Sequence, residues 1–325
     1  MSLVVGMVHP NPDLPTCSGL VEGHNAARLA LESQPEVRVV VLMPDHKQGN
    51  PLEGLDWSQV DVAWLSFVHH LTWLPGPLPV PTVLHWHGWF DDAVGFIWPR
   101  RPPWPERMTV LAKADHTVFS SWNLRQFVTG LAPDEPGSST AAWNCADPRL
   151  FYPAPRTERS VGACALLNHS YAKGVDRLEG LGEVDLLGKS HPPPLDYVEP
   201  PLNAYGVNPL AHEDVGDFLR EHELLIHPSR VESCPLTIVE ALTCGLPVLC
   251  SDAGDCRALV GEAGVVLDDF DWRRAQAQEA LAELQANLPA YRAAALRQAG
   301  RFRPEVVGAA LAAAARQAQE QRGVR

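Results

Sequence analysis

One stretch of this chain limits its fold more than any other. Leu224-Leu-Ile-His227 is a short apolar run suited to a parallel strand buried on both faces. Pro228-Ser-Arg turns the chain away from it. Pro235 suits the first turn of a helix, where a missing N–H costs nothing. Ser233 or Cys234 would stand at the cap, and Ser233 is the better capping side chain. Gly245 falls where the helix would end, and Pro247 prevents its continuation. The spacing predicts a helix over 235–244 and a further strand from Val248 to Ser251. Strand, loop, helix and strand in this order make one unit of a doubly wound parallel sheet, in which ligands bind at the carboxyl ends of strands.

Two glutamates sit in this unit, Glu232 in the loop and Glu240 between one and two turns into the helix. The amides of Leu236 and Thr237 lie in the first helical turn, without intrahelical partners. Together with the helix dipole they form a seat for a phosphate group. A carboxylate further along the helix can accept from both hydroxyls of a ribose, and one in the loop can accept from sugar hydroxyls. The plainer alternative is a solvated stripe of Ser233, Thr237, Glu240 and Cys244, spaced three or four apart on a helix surface.

The segment from His227 to Glu240, continued by Ala-Leu-Thr-Cys-Gly-Leu-Pro-Val-Leu, resembles the paired-glutamate signature of retaining, nucleotide-sugar-dependent glycosyltransferases. These are the family 4-like, group 1 enzymes of the GT-B fold. The resemblance implies an α/β protein of two Rossmann-like domains facing across a cleft. It implies that Glu240 holds the nucleotide ribose and Glu232 the donor sugar, with the diphosphate near Leu236 and Thr237. Asn168-His-Ser-Tyr-Ala-Lys173-Gly174 resembles the family's Arg-to-Lys phosphate clamp, with Lys173 matching and Asn168 where arginine is expected. Arg230 and Lys189 are candidates for the second cation. Tyr205-Gly206-Val207-Asn208 resembles the loop that contacts the nucleobase, which makes Gly206 and Asn208 donor-binding candidates. Gly19 stands in place of the glycine-rich loop after the first strand.

The amino-terminal half reads as a first Rossmann-like domain. Apolar strands are expected at 3–8, 37–43, 60–67, 80–85 and 116–120, with helices over 20–31 and 105–114. Leu84-His-Trp-His-Gly-Trp-Phe90 ends one of these strands. The resemblance makes His87 a catalytic candidate, a neutral imidazole near the reacting carbon. A buried histidine with a backbone partner is the plainer alternative, and a His85-x-His87 metal pair lacks an evident third ligand. Trp86, Trp89 and Phe90 offer faces for sugar stacking or for core packing. Arg100-Arg-Pro-Pro-Trp-Pro-Glu-Arg107 is a basic patch in a proline-rich loop.

Thr140-Ala-Ala-Trp-Asn-Cys-Ala-Asp-Pro-Arg-Leu-Phe-Tyr-Pro153 resembles the family's inter-domain hinge, with Cys145 replacing a usual glycine. This places an acceptor-side domain at 1–152, a donor domain at 153–305 and a final helical segment at 306–325 packing back on the first domain. The second domain continues with strands at 162–167 and 263–267 and helices over 253–260, 272–288, 289–296 and 304–319.

A net charge of −13 argues against broad nucleic-acid binding and leaves at most a weak peripheral membrane contact. The start, Met-Ser-Leu-Val-Val-Gly-Met-Val-His, reads as a buried strand rather than a signal peptide. The seven cysteines form no C-x-x-C pair and fit free thiols in a reducing cytoplasm.

The resemblance implies transfer of a hexose from a nucleoside diphosphate sugar to a glycan, lipid or small-molecule hydroxyl with retention. It calls for no cofactor and no essential metal, because Lys173 and the helix start would stabilise the leaving phosphate. Alternatives on the same fold are a sugar-nucleotide epimerase, a glycan phosphorylase needing pyridoxal phosphate, and a non-catalytic sugar-nucleotide binder or scaffold suggested by Asn168.

Overall fold

The computed structural model of the chain describes residues 2–9, 19–44, 52–66, 76–87, 113–131, 138–153, 161–167, 169–188, 204–207, 210–268 and 272–324. Its backbone packing divides into two units. One takes the described residues through Cys145 and those from Arg303 onward; the other takes Ala146–Phe302.

The first unit is built on β1 (Leu3–Val8), α1 (Gly19–Glu32), β2 (Val37–Leu42), β3 (Val62–Leu65), β4 (Thr82–Trp86), β5 (His116–Phe119), α2 (Trp122–Leu131) and β6 (Ser138–Ala141). The six strands are parallel, in the order β2-β1-β3-β4-β5-β6. Val5 of β1 lies opposite Val39 on one side and Val62 on the other. Every residue of β3, β4 and β5 is buried, because a parallel sheet is covered on both faces. Sequence order reverses between β1 and β3, so the carboxyl ends of these strands open at a topological switch point.

The second unit holds β7 (Val161–Leu166), a 3-10 turn at Val175–Leu178, β8 (Val184–Leu187), β9 (Ala204–Val207), α3 (His212–Glu221), β10 (His222–His227), α4 (Leu236–Thr243), β11 (Val248–Ser251), α5 (Cys256–Val260), β12 (Gly264–Leu267), α6 (Arg274–Ala286) and α7 (Leu288–Ala299). The sheet runs β12-β11-β10-β7-β8-β9, again wholly parallel. Its switch point lies between β7 and β10, where Leu224 pairs with Ala163 and Leu225 with Cys164. Ala163, Ala165, Leu186, Leu224, Ile226 and Leu249 form one face of the core, closed by Leu281 and Leu284 of α6. The final helix α8 (Pro304–Val324) packs in the first unit on α1 and β5. Its Arg322 reaches the wholly buried Asp115 at 3.5 Å.

The two parallel α/β sheets match the expectation from sequence; several details differ. Ala204–Val207 is an edge strand rather than a loop: Tyr205 pairs with Asp185 and Gly206 with Leu186. The acidic α3 was not anticipated, although Val215, Phe218 and Leu219 form its buried apolar stripe. A Cβ at Gly216 would lie 2.1 Å from Leu150 O, so this helix needs a glycine where it approaches that backbone. Helix α2 also went unanticipated, while β6 ends where the segment from Thr140 was read as a strand end. The helix expected at 105–114 falls largely outside the described residues.

Candidate active site

The carboxyl end of β10 delivers His227 to the switch point of the second unit. The helix that follows spans Leu236–Thr243, slightly shorter than the sequence suggested. Pro235 stands at the cap rather than inside the first turn, with φ −65° and ψ 115°, and no side chain caps the helix. Ser233 is not the cap residue; its carbonyl accepts from the Asp255 amide at 3.0 Å. The Pro235 carbonyl receives Ile238 N at 3.2 Å and Val239 N at 3.4 Å. These are the first intrahelical donors, so the amides of Leu236 and Thr237 lie ahead of the ladder. At the other end Gly245 adopts φ +74°; its amide bonds Leu242 O and that of Leu246 bonds Ala241 O, both at 2.9 Å. This pair of bonds is the Schellman arrangement, and it requires the left-handed residue that glycine supplies.

Glu232 is buried at 7% exposure in the loop between β10 and α4. Its Oε1 accepts from Lys173 Nζ at 2.6 Å and pairs with His227 Nε2 at 3.1 Å. Thr237 Oγ1 lies 3.3 Å from the other ring nitrogen of His227. Burial pushes the Glu232 carboxyl up, but the Lys173 charge and the His227 hydrogen bond outweigh it. The group is held well below the usual carboxylate range and is ionised. Glu240 is also buried, at 5% exposure, and pairs through Oε1 with His212 Nε2 at 3.0 Å. Ser233 and Cys244 are buried too, so the stripe of 233, 237, 240 and 244 is not a solvated face.

Two neighbouring loops hold this set in place. Arg230 grips Asp176 with two hydrogen bonds, at 2.8 and 2.7 Å, donates to Tyr171 O at 2.6 Å and lies over the Tyr171 ring. Arg230 N also bonds Ala172 O, and Arg177 Nη1 bonds Pro228 O. The Lys173 loop is thus stitched to the turn that carries Glu232. Gly174 sits at φ +71°, and a Cβ there would lie 2.1 Å from Pro228 O. From the opposite side, the Gly254 backbone presses on Glu232 O. Arg230, proposed from sequence as a second phosphate-binding cation, is committed to Asp176. Asn168, Lys189 and Asn208 lie outside the described residues, as do Trp89, Phe90 and the basic loop at 100–107. Gly206 is in β9, within its ladder.

His87 belongs to the first unit, directly after β4. Its two ring nitrogens are buried and make no hydrogen bond among the described residues, and the same holds for His85. The two rings are 3.9 Å apart between centroids, and the Trp64 ring meets His85 edge-on at 5.5 Å. Burial, then the neighbouring His87 and His24, push His85 well below its ordinary value. Burial alone lowers His87 to about 4, so both are neutral. The alternative, a ring bonded to backbone, finds no partner among the described residues; the His87 carbonyl accepts from Ser120 Oγ at 3.0 Å. Among the described residues no group of three or more His, Cys, Asp or Glu side chains is arranged to hold a metal. Gly19 is the first residue of α1.

His227 and His212 were not singled out from the sequence. The signal for His227 was a polar residue closing a buried apolar strand. No local signal could join His212 to Glu240, because the two lie 28 positions apart and meet only in the folded unit.

Residues 184–287 match the family model described as glycosyl transferases group 1. The match is confined to this segment, which lies within the second unit. It contains His227, both glutamates and the whole of α4; Lys173 precedes it. Over 97 residues the chain is 37% identical to D-inositol 3-phosphate glycosyltransferase 1 of Catenulispora acidiphila, covering 29% of this chain and 23% of that protein. Over 109 residues it is 36% identical to the D-inositol 3-phosphate glycosyltransferase of Thermobispora bispora, covering 32% and 25%. The matched part thus spans about a quarter of each of these relatives. Among solved structures, a sucrose-phosphate synthase from Thermosynechococcus elongatus aligns with a TM-score of 0.72 at 17% identity, over 97% of this chain and 98% of that one. Anabaena Alr3699/HepE, solved with UDP-glucose, aligns at 0.70 and 14% identity, over 96% and 98%. The fold is GT-B. No helix among the described residues is long and apolar enough to cross a membrane.

Proposed function

We propose that the chain is a retaining glycosyltransferase that moves a hexose from a nucleoside diphosphate sugar to an acceptor hydroxyl. The observation that carries this reading is the ionised, pinned Glu232 at the switch point, with Lys173 on it and the unladdered amides of α4 alongside. The distal phosphate would sit between Lys173 and the amides of Leu236 and Thr237, which stabilise negative charge as the leaving group departs. Glu240 would accept from the ribose hydroxyls, taking them in place of His212. Glu232 would hold the donor sugar through its second oxygen. Neutral His87 would offer a lone pair or an N–H near the reacting carbon, and Gly19, Gly206 and Asn208 would line the donor from backbone. The chemistry rests on side chains and a helix dipole, with no resident cofactor or metal. Unbridged cysteines in the described residues fit a reducing, cytoplasmic setting.

The test is a thermal-shift panel of UDP, GDP, ADP, TDP and CDP, with and without attached sugar, followed by a transfer assay with the best binder. A ligand that binds only the folded protein raises its melting temperature as concentration exceeds the Kd. Glu240→Ala is expected to weaken nucleotide binding by roughly tenfold or more, the loss of charge-assisted bonds to a diol. Unchanged affinity would sink the ribose role.

A second reading, a non-catalytic sugar-nucleotide binder, gains support from the internal pairing of both cations, Lys173 with Glu232 and Arg230 with Asp176. That protein would shift with a nucleotide sugar and show no turnover with any acceptor.

A further inference from the structure

We propose that His227 is a positioning residue for Glu232: with Thr237 behind it, the imidazole fixes which carboxylate oxygen is occupied by protein and which is presented to the donor sugar. This rests on the reading of Glu232 as the sugar-binding carboxylate. The geometry is specific. Both donors to Glu232 arrive at Oε1, Lys173 at 2.6 Å and His227 Nε2 at 3.1 Å. Among the described residues Oε2 takes no hydrogen bond. An ionised carboxylate can only accept, so Nε2 must carry the hydrogen. The Thr237 hydroxyl oxygen is 3.3 Å from Nδ1, close enough to hold the far side of the ring. The relay runs from Nε2–H to Oε1, with Lys173 Nζ on the same oxygen and Thr237 Oγ1 against Nδ1. His227 is itself 2% exposed and closes β10, so its ring is held by the sheet. The groups facing Glu232 are Lys173 from the 169–174 loop, His227 from β10 and the Cys256 thiol from α5, whose pKa the carboxylate helps to raise.

The arrangement follows the logic by which buried ligating groups are oriented by a hydrogen bond on their far side. A carboxylate free to rotate would spread its two oxygens between Lys173 and the sugar. Pinning one oxygen from two directions leaves a single orientation for the other.

Two measurements on the full chain test this. The first needs no turnover: imidazole 15N shifts of His227 report its tautomer, and carboxyl 13C shifts of Glu232 report its titration. We expect the Nε2–H tautomer and no Glu232 titration step in the ordinary carboxylate range. His227→Phe should bring that step into view at higher pH, and His227→Gln, whose amide nitrogen can stand in for Nε2, should largely suppress it. The second is steady-state kinetics with the donor found in the nucleotide panel. His227→Phe should lower donor kcat/KM by roughly tenfold or more, as expected for a misplaced reacting group, while UDP or its equivalent binds within about twofold of the parent protein. His227→Gln should recover most of the loss. An Nδ1–H tautomer, an unchanged Glu232 titration in His227→Phe, or equal loss in Phe and Gln would overturn the proposal. If the Phe variant does not fold, the tautomer and the Gln variant still decide. If the parent protein transfers no sugar, the proposed function fails, and the titration still decides the role of His227.

Discussion

The carboxyl ends of the strands in the two units bury ionisable side chains and reach opposite charge states. In the second unit Glu232, 7% exposed, is ionised; in the first, His85, 2% exposed, and His87 beside it are neutral. Burial disfavours charge in both places. The difference lies in partners. Glu232 has an ammonium at 2.6 Å and an imidazole at 3.1 Å, and their attraction exceeds the cost of desolvation. Among the described residues the ring nitrogens of His85 and His87 have no hydrogen-bonding partner to oppose desolvation. One site is thus a preorganised set of charges, suited to a charged ligand, and the other a set of lone pairs and N–H groups, suited to hydroxyls.

The largest effect should come from breaking the charged set. Lys173→Met leaves a buried carboxylate without its main partner, and loss of one member of such a pair costs about 3–5 kcal/mol. Urea unfolding should show that loss, with much of it returned by adding Glu232→Gln, which removes the stranded charge. Equal stability of the single and double variants would mean that Glu232 is not held as an ion, and the contrast between the units would collapse.

The neutral set should reveal itself in acid. An unfolded histidine titrates near 6.5, whereas His87 in the fold titrates at about 4. Between these values the unfolded chain binds more protons than the folded one, so stability falls as pH falls, and the loss is complete near 4. For His87 alone this amounts to roughly 3 kcal/mol. The depressed Glu232 works in the same direction at lower pH: its contribution is present above the ordinary 4.5 and is lost as pH falls further toward its folded value. His87→Gln should flatten the stability curve between pH 6.5 and 4.5, measured by urea unfolding at each pH. An unchanged slope would show that the His87 ring is solvated or paired.

A smaller effect should follow from Gly174→Ala. The substitution places a Cβ against Pro228 O and a side chain at φ +71°. A cost of about 1–3 kcal/mol is expected from backbone strain at such a position. Because Gly174 follows Lys173, nucleotide-sugar binding should fall as well, read by the same thermal-shift series. Loss of stability with full binding would show that Lys173 reaches its place without the tight loop contact.

Much of the second unit was legible in the sequence because its signals are local. A buried strand, a proline near a helix start and a glycine after its end act within a few residues, and β10, α4 and β11 fell close to where these placed them. The strand at Ala204–Val207 was read as a loop because a short edge strand pairs on one side only and carries little periodicity. The α3 helix was missed although Val215, Phe218 and Leu219 carry its stripe; only its Gly216 has a non-local reason, a backbone contact 66 positions away at Leu150. Ser233 looked like the better cap, yet its carbonyl is drawn to the Asp255 amide, a choice set by the loop after β11.

What the sequence by itself determined was the alternation of strands and helices, the parallel sheets this implies, and the place of Glu232 and Glu240 on either side of a helix start. Those follow from periodicity and from the chemistry of proline, glycine and capping residues, all of them short-range. What only the tertiary structure decided was charge and company: that Lys173 and His227 meet on one oxygen of Glu232, that His212 occupies Glu240, that Arg230 belongs to Asp176, and that His85 and His87 are left neutral. Charge state depends on distance and desolvation in three dimensions, and residues separated by 59 positions, such as Lys173 and Glu232, become neighbours only when β7 and β10 lie side by side at the switch point.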